Sequence, residues 1–309
     1  MTLDEVVSAL AVPGRELRAG GTDVHGEALV DLRGVRELRG VTWRADGGGR
    51  LGAMTTIAEV AGDAQVQAAY PALAVAAASL ATPQIRAAAT VGGNLLQRNR
   101  CWYYRNPHFS CYQSGGDGCP ARTGVNLHLV VIDQGPCVAP HPSSLATVLL
   151  SYDATVTVSG RGTIGLRDLY GDGSDPTSDH ALRGGEVLVA VDLPAAVAGE
   201  RAAYRRVAGR ALAEWPLVEA VARLGVSGTT ITSAAVAVGG VARTPVRLAE
   251  VEDALVGREA TESTFEAAAL LASTHCAPLA QTAYKVGLLR DTVLDVLYSV
   301  ADEGSLHRR

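Results

Sequence analysis

Residues 95–140 constrain this chain more than any other part of its 309 residues. The stretch carries four cysteines, five glycines, four prolines and several aromatics, with neither helical nor strand periodicity. A loop of that length inside a compact domain has no core of its own, so it is functional or is held by something else. Cys101, Cys111, Cys119 and Cys137 are separated by nine, seven and seventeen residues, which matches no zinc-finger spacing. Four thiolates gathered by such a loop make a sensible [4Fe–4S] site. Reduced buried cysteines and a zinc site stay open as alternatives. The fifth cysteine, Cys276, stands far away.

Outside this stretch the chain reads as globular. Hydrophobic residues make up 48% and charged residues 19%, enough for a sizeable core and too apolar for disorder. The 27 basic and 32 acidic residues sum to −5, which speaks against a nucleic-acid partner. No apolar run reaches the roughly 20 residues that span a bilayer, so no membrane partner is expected. Met1-Thr2-Leu3-Asp4-Glu5 has neither a basic nor an apolar leader region, so a cytoplasmic chain without structural disulfides is expected.

The pattern predicts helices over 2–10, 57–62, 71–80, 214–224, 261–273 and 284–300. Strands are predicted over 17–19, 28–32, 41–44, 50–53, 127–133, 154–158, 162–166, 187–193 and 230–238. A polar stretch over 170–182 suggests a boundary, and the mixture favours an α+β fold over a doubly wound sheet.

Two glycine motifs stand out, Ala19-Gly20-Gly21-Thr22-Asp23 and Thr90-Val91-Gly92-Gly93-Asn94. Adjacent glycines let the backbone approach a ligand and aim consecutive N–H groups at an anion, with Thr and Asn as side-chain donors. Neither motif is a lysine P-loop or a G-x-G-x-x-G helix opening, so a simple turn remains the competing reading. No base–nucleophile pair, catalytic carboxylate pair or catalytic metal motif is visible, which leaves the chemistry to cofactors.

These motifs fall in a recognisable order with Leu51-Gly52-Ala53-Met54-Thr55-Thr56, His141-Pro142-Ser143-Ser144, Ala203-Tyr204-Arg205-Arg206, Gly239-Gly240-Val241-Ala242-Arg243-Thr244-Pro245 and Ala283-Tyr284-Lys285-Val286. The series resembles the FAD-binding medium subunit of the molybdenum hydroxylases, the xanthine dehydrogenase and carbon monoxide dehydrogenase family. The resemblance implies a two-lobed FAD-binding domain of the vanillyl-alcohol-oxidase (PCMH-like) type, followed by a C-terminal α+β domain. Lobe 1 would span 1–52, lobe 2 would span 53–170 with the cysteine insert at 97–140, and the C-terminal domain 177–309. The FAD diphosphate would lie against Ala19, Gly20, Gly21, Thr22 and Asp23 and against Thr90, Gly92, Gly93 and Asn94.

Flavin subunits of the aldehyde oxidoreductase and 4-hydroxybenzoyl-CoA reductase kind carry a [4Fe–4S] cluster in an insert after the second glycine motif. On that resemblance Cys101, Cys111, Cys119 and Cys137 are the metal ligands and Cys276 is not. Trp102, Tyr103, Tyr104, Phe109 and Tyr112 would shield the cluster. Asn126 and His128 match a Gly-x-Asn-x-x-His stretch of those relatives, one residue shorter here, and are flavin-proximal or structural. Ser144 stands where the family has Asp in His-Pro-Ser-Asp, a position expected to contact the flavin's ribityl region. The segment 24–28 is shorter than in family members, a second departure beside the first glycine motif.

The implied function is electron transfer by an FAD and [4Fe–4S] subunit between a molybdenum-cofactor/[2Fe–2S] partner and an external acceptor. One alternative is a self-sufficient oxidoreductase, then a homo-oligomer, acting directly on a small-molecule electron donor or acceptor. Another is a scaffold subunit that has lost FAD.

Overall fold

The structure is a computed structural model that describes residues 1–23, 26–210 and 213–301. Of the shortened segment 24–28, Val24 and His25 lie outside the described residues. The chain divides into two compact units, each with its own hydrophobic core.

The first unit comprises Met1–Arg98, Ser143–Gly171 and His180–Ala196. Its opening helix, Leu3–Leu10, starts on a capping box: Glu5 N donates to Thr2 Oγ1 at 3.3 Å and Thr2 N donates to the Glu5 carboxylate at 2.8 Å. The apolar face of this helix sets Val6 against Val30, Leu32, Val35, Leu38 and Met54. Strands β1 (Glu16–Arg18) and β2 (Leu29–Asp31) pair in parallel. Strands β3 (Val41–Trp43), β4 (Gly49–Gly52), β5 (Thr155–Val158), β6 (Gly162–Gly165) and β7 (Leu188–Asp192) form an antiparallel sheet in the order β3-β4-β7-β5-β6.

Tyr70 pins this sheet to its flanking helices. It stacks on Trp43 at 5.8 Å, accepts from Gly49 N at 3.0 Å and donates to the Pro194 carbonyl at 2.7 Å. Pro71 then opens helix Pro71–Ser79, whose alanines allow close approach. The second glycine motif is not a simple turn. Thr90 caps a one-turn helix, Val91–Leu95, with Gly93 N donating to Thr90 Oγ1 at 3.1 Å.

The second unit comprises Asn99–Pro142, Asp172–Asp179 and Val197–Arg309. Strands β8 (Arg201–Val207), β9 (Val218–Ser227), β10 (Thr230–Gly239) and β11 (Val246–Arg247) form an antiparallel sheet in the order β11-β10-β9-β8. Helices Ala249–Leu255, Glu262–Leu270 and Tyr284–Ala301 supply Val251, Phe265, Leu289, Val293, Val296 and Leu297 to its core. Each such side chain contributes about 1.5–3 kcal/mol when fully removed from water.

Two expectations fail in this unit. The segment predicted as a helix over 214–224 is instead irregular at 214–217 and then enters β9, central in the sheet and buried on both faces for seven consecutive residues. A run buried all round has no two-residue alternation, so its alanines mimicked a helix while partners on both edges made it a strand. Residues 127–133 are irregular rather than a strand. The donors there leave ladder order: Val130 N reaches the Val138 carbonyl at 3.1 Å, and Val131 and Ile132 N both reach the Val241 carbonyl.

Candidate cofactor sites

The two glycine motifs come together inside the first unit. A Cβ on Gly20 would run into the Ala88 carbonyl oxygen, and one on Gly93 would lie 3.8 Å from Ala19 Cβ. Gly92 is pressed against Ala53, where a Cβ would sit 3.0 Å from the Ala53 methyl. Chain-to-chain approach therefore accounts for glycine at 20 and 92. Gly21 is needed for its left-handed backbone, with φ at +71°.

Three further observations extend this cluster. Arg98 N donates to the Asp23 carboxylate at 3.2 Å, Ser143 Oγ donates to Asn94 Oδ1 at 2.7 Å, and Thr22 is exposed. Ser144, the next residue, opens helix Ser144–Ser151, is fully buried, and its hydroxyl has no hydrogen-bond partner. A buried hydroxyl left unsatisfied is uncommon in a folded core, and beside the glycine motifs it fits a position facing a ligand.

The four clustered cysteines line one pocket in the second unit. Three of them immediately precede a short helical turn: Cys101 before Trp102–Arg105, Cys111 before Tyr112–Ser114 and Cys119 before Pro120–Arg122. A helical start aims N–H groups back at the preceding side chain. The backbone N–H groups of Tyr103 and Tyr104 favour the Cys101 thiolate, and that of Ala139 favours the Cys137 thiolate. Arg122 closes the last loop, bridging the Asp133 carboxylate at 2.9 Å and the Pro136 carbonyl at 2.9 Å.

Burial raises the thiol of Cys101 and pushes that of Cys137 up to about 11, despite those donors. Among the described residues, no group of three or more His, Cys, Asp or Glu is placed to hold a metal ion.

The aromatic side chains divide into two layers. Tyr103, Tyr104 and Tyr112 line the pocket. Trp102 and Phe109 are exposed and pack edge-on against Tyr103 at 5.6 and 4.9 Å, so they form an outer layer rather than a wall.

Asn126 and His128 belong to the second unit, whereas both glycine motifs belong to the first. The Asn126 amide donates to the Ala121 and Gly124 carbonyls and accepts from Gln281 N at 3.0 Å, so it ties the insert to the chain before the last helix. The His128 residue is exposed, and its carbonyl accepts from Lys285 Nζ at 3.2 Å. Lys285, the chain's single lysine, is fully buried, donates also to the Gly240 carbonyl at 2.9 Å, and is brought down to about 7 by desolvation. A neutral amine has two N–H donors, and two carbonyls satisfy them.

Residue types alone did not mark Asn99, Gln113 and Asp179 as part of this site. Asn99 and Gln113 line the cysteine pocket, and both donate to Asp179. The only signal for Asp179 was its place in the polar stretch at 170–182, which reads as a boundary. Arg205 pairs with Asp295 at 2.9 Å.

Matching families cover nearly the whole chain. Residues 3–196 match the FAD binding domain in molybdopterin dehydrogenase, and residues 202–300 match the CO dehydrogenase flavoprotein C-terminal domain. The chain belongs to the family of FAD-binding medium subunits of the molybdenum hydroxylases, whose members are subunits of oxidoreductases.

Among its relatives is the aldehyde oxidoreductase FAD-binding subunit PaoB of Escherichia coli K12, 34% identical over 95% of this chain and 94% of that protein. The carbon monoxide dehydrogenase medium chain of Hydrogenophaga pseudoflava is 27% identical over 82% of this chain and 72% of that one. A matching chain in the crystal structure of quinoline 2-oxidoreductase from Pseudomonas putida 86 superposes with a TM-score of 0.75 at 25% identity, covering 97% of this chain and 94% of that one. Among the described residues, no helix is long and apolar enough to cross a membrane.

Proposed function

We propose that the chain is the FAD- and [4Fe–4S]-carrying electron-transfer subunit of a molybdenum hydroxylase-type dehydrogenase. It would pass electrons between a molybdenum/[2Fe–2S] partner and an external acceptor. FAD, when bound, supplies the step between two-electron and one-electron chemistry. In this reading the flavin fold is of the two-lobed vanillyl-alcohol-oxidase type. Ala19, Gly20, Gly21, Thr22 and Asp23 with Thr90, Gly92, Gly93 and Asn94 hold the diphosphate, and Ser144 lies beside it. Cys101, Cys111, Cys119 and Cys137 are the cluster ligands.

The observation that carries the proposal is the common pocket of four cysteines separated by long, irregular loops. Four thiols lining one cavity supply one thiolate for each iron of such a cluster. The abutting glycine motifs and the unsatisfied Ser144 hydroxyl support the flavin half.

Anaerobically purified protein should be coloured. It is expected to contain one FAD and four iron atoms with matching labile sulfide per chain, the stoichiometry of a cluster held by four cysteines. Dithionite reduction should develop a paramagnetic resonance signal. Well-folded, colourless protein without iron would overturn the reading and favour a scaffold that has lost both groups.

A further inference from the structure

We propose that Asp179, paired with Arg243, is the positioning residue of the four-cysteine pocket: through Asn99 and Gln113 it holds the pocket wall, and the pair sets the charge beside it. The redox part of this inference rests on the cluster reading above; the positioning part stands without it.

The Asp179 carboxylate is a buried hub. It accepts from Asn99 N at 3.0 Å, from the Asn99 amide at 3.2 Å, from the Gln113 amide at 2.8 Å and from Arg243 at 3.0 Å. Asn99 and Gln113 also bond to each other at 2.7 Å. Both line the pocket, and Asn99 Oδ1 accepts from Cys101 N at 3.0 Å, so the hub is one hydrogen bond from a pocket cysteine. On the other side, Arg243 donates to the Ser178 carbonyl at 2.6 Å and the Asp175 carbonyl at 3.3 Å.

The Arg243 and Asp179 side chains are only 3% and 4% exposed. A pair so removed from water is costly to form and strongly destabilising to break from one side, so it acts as a register device more than as a source of stability. Its charges stand beside the pocket, joined to Cys101 through Asn99.

The test uses the full-length chain and the substitutions Asp179→Asn, Asn99→Ala, Arg243→Met and Arg243→Lys. In iron-free protein, the reaction of the buried thiols with a disulfide reagent should quicken by roughly tenfold in Asp179→Asn and in Asn99→Ala, as a local closed state is lost. Asn99→Ala leaves the ion pair intact, so it serves if Asp179→Asn folds poorly. Unchanged thiol rates in folded Asn99→Ala protein would overturn the positioning role, whether or not the pocket takes iron.

In reconstituted protein, reduction adds negative charge to the pocket. The midpoint potential should therefore rise in Asp179→Asn, fall in Arg243→Met and stay near wild type in Arg243→Lys. Shifts in the same direction, or none, would overturn the charge role. Wild-type protein that takes up no iron would instead remove the cluster reading and, with it, the charge role, leaving the thiol rates to decide the positioning role.

Discussion

The glycine cluster of the first unit and the cysteine pocket of the second are built by opposite means. The glycine cluster is a backbone construction: Gly20 abuts the Ala88 carbonyl with no room for a methyl group, and Gly92 lies tight against Ala53. The pocket is a side-chain construction on irregular chain, kept in place by Asn99, Gln113, Asp179, Arg243 and the Arg122–Asp133 bridge. Shape should therefore govern the first site, and ligand identity and charge the second.

The largest effect that sharpens this contrast is loss of one group without the other. Cys137→Ser should abolish bound iron while flavin content stays at wild-type level, as metal analysis and absorption spectra will show. Parallel loss of flavin would mean that the two regions are not separate constructions. Cys276→Ser serves as the control and should leave iron unchanged.

Next in size is Gly20→Ala, which forces a methyl group into the Ala88 carbonyl. We expect a cost of about 3 kcal/mol and reduced flavin content, with iron retained. A wild-type melting curve and full flavin occupancy would break the claim that close approach sets this position.

A smaller effect separates the buried lysine from both sites. Lys285 sits near 7 in the folded protein against 10.5 as a free group. Between those values the unfolded chain binds the extra proton, so stability rises with pH and falls again as pH drops toward 7. The slope from this residue should be up to about 1.4 kcal/mol per pH unit across pH 8–9, and Lys285→Met should flatten it. Denaturant midpoints measured across that range decide the matter; an equal slope in both proteins would show the lysine to be charged when folded.

The smallest effect belongs to Ser144. Because its hydroxyl has no protein partner, Ser144→Ala should change the stability of flavin-free protein by less than about 0.5 kcal/mol. Flavin binding should weaken by no more than about tenfold, one hydrogen bond's worth. A large loss of stability without flavin would show that the hydroxyl is structural.

Local rules read much of the first unit correctly. The capping box at Thr2 and Glu5, Pro71 at a helix start and the strands around 41–53 are each decided by residues within a few positions. Both glycine motifs were legible too, although Thr90 turned the second into a helical start by accepting from Gly93 N. Strand β9 was not legible, since burial on both faces removes the alternation that marks a strand. Nor was the division of the aromatics: Tyr103 and Trp102 are neighbours in sequence, yet one lines the pocket and the other is exposed.

The sequence by itself singled out the candidate residues, because four cysteines on a long aperiodic segment and paired glycines are rare types in demanding positions. Tertiary structure alone decided what holds them. Asp179 is 80 residues from Asn99 and 64 from Arg243, and nothing local distinguishes it from a solvated turn aspartate. Only burial makes its charge need a partner, and burial is a property of the assembled fold, not of the segment.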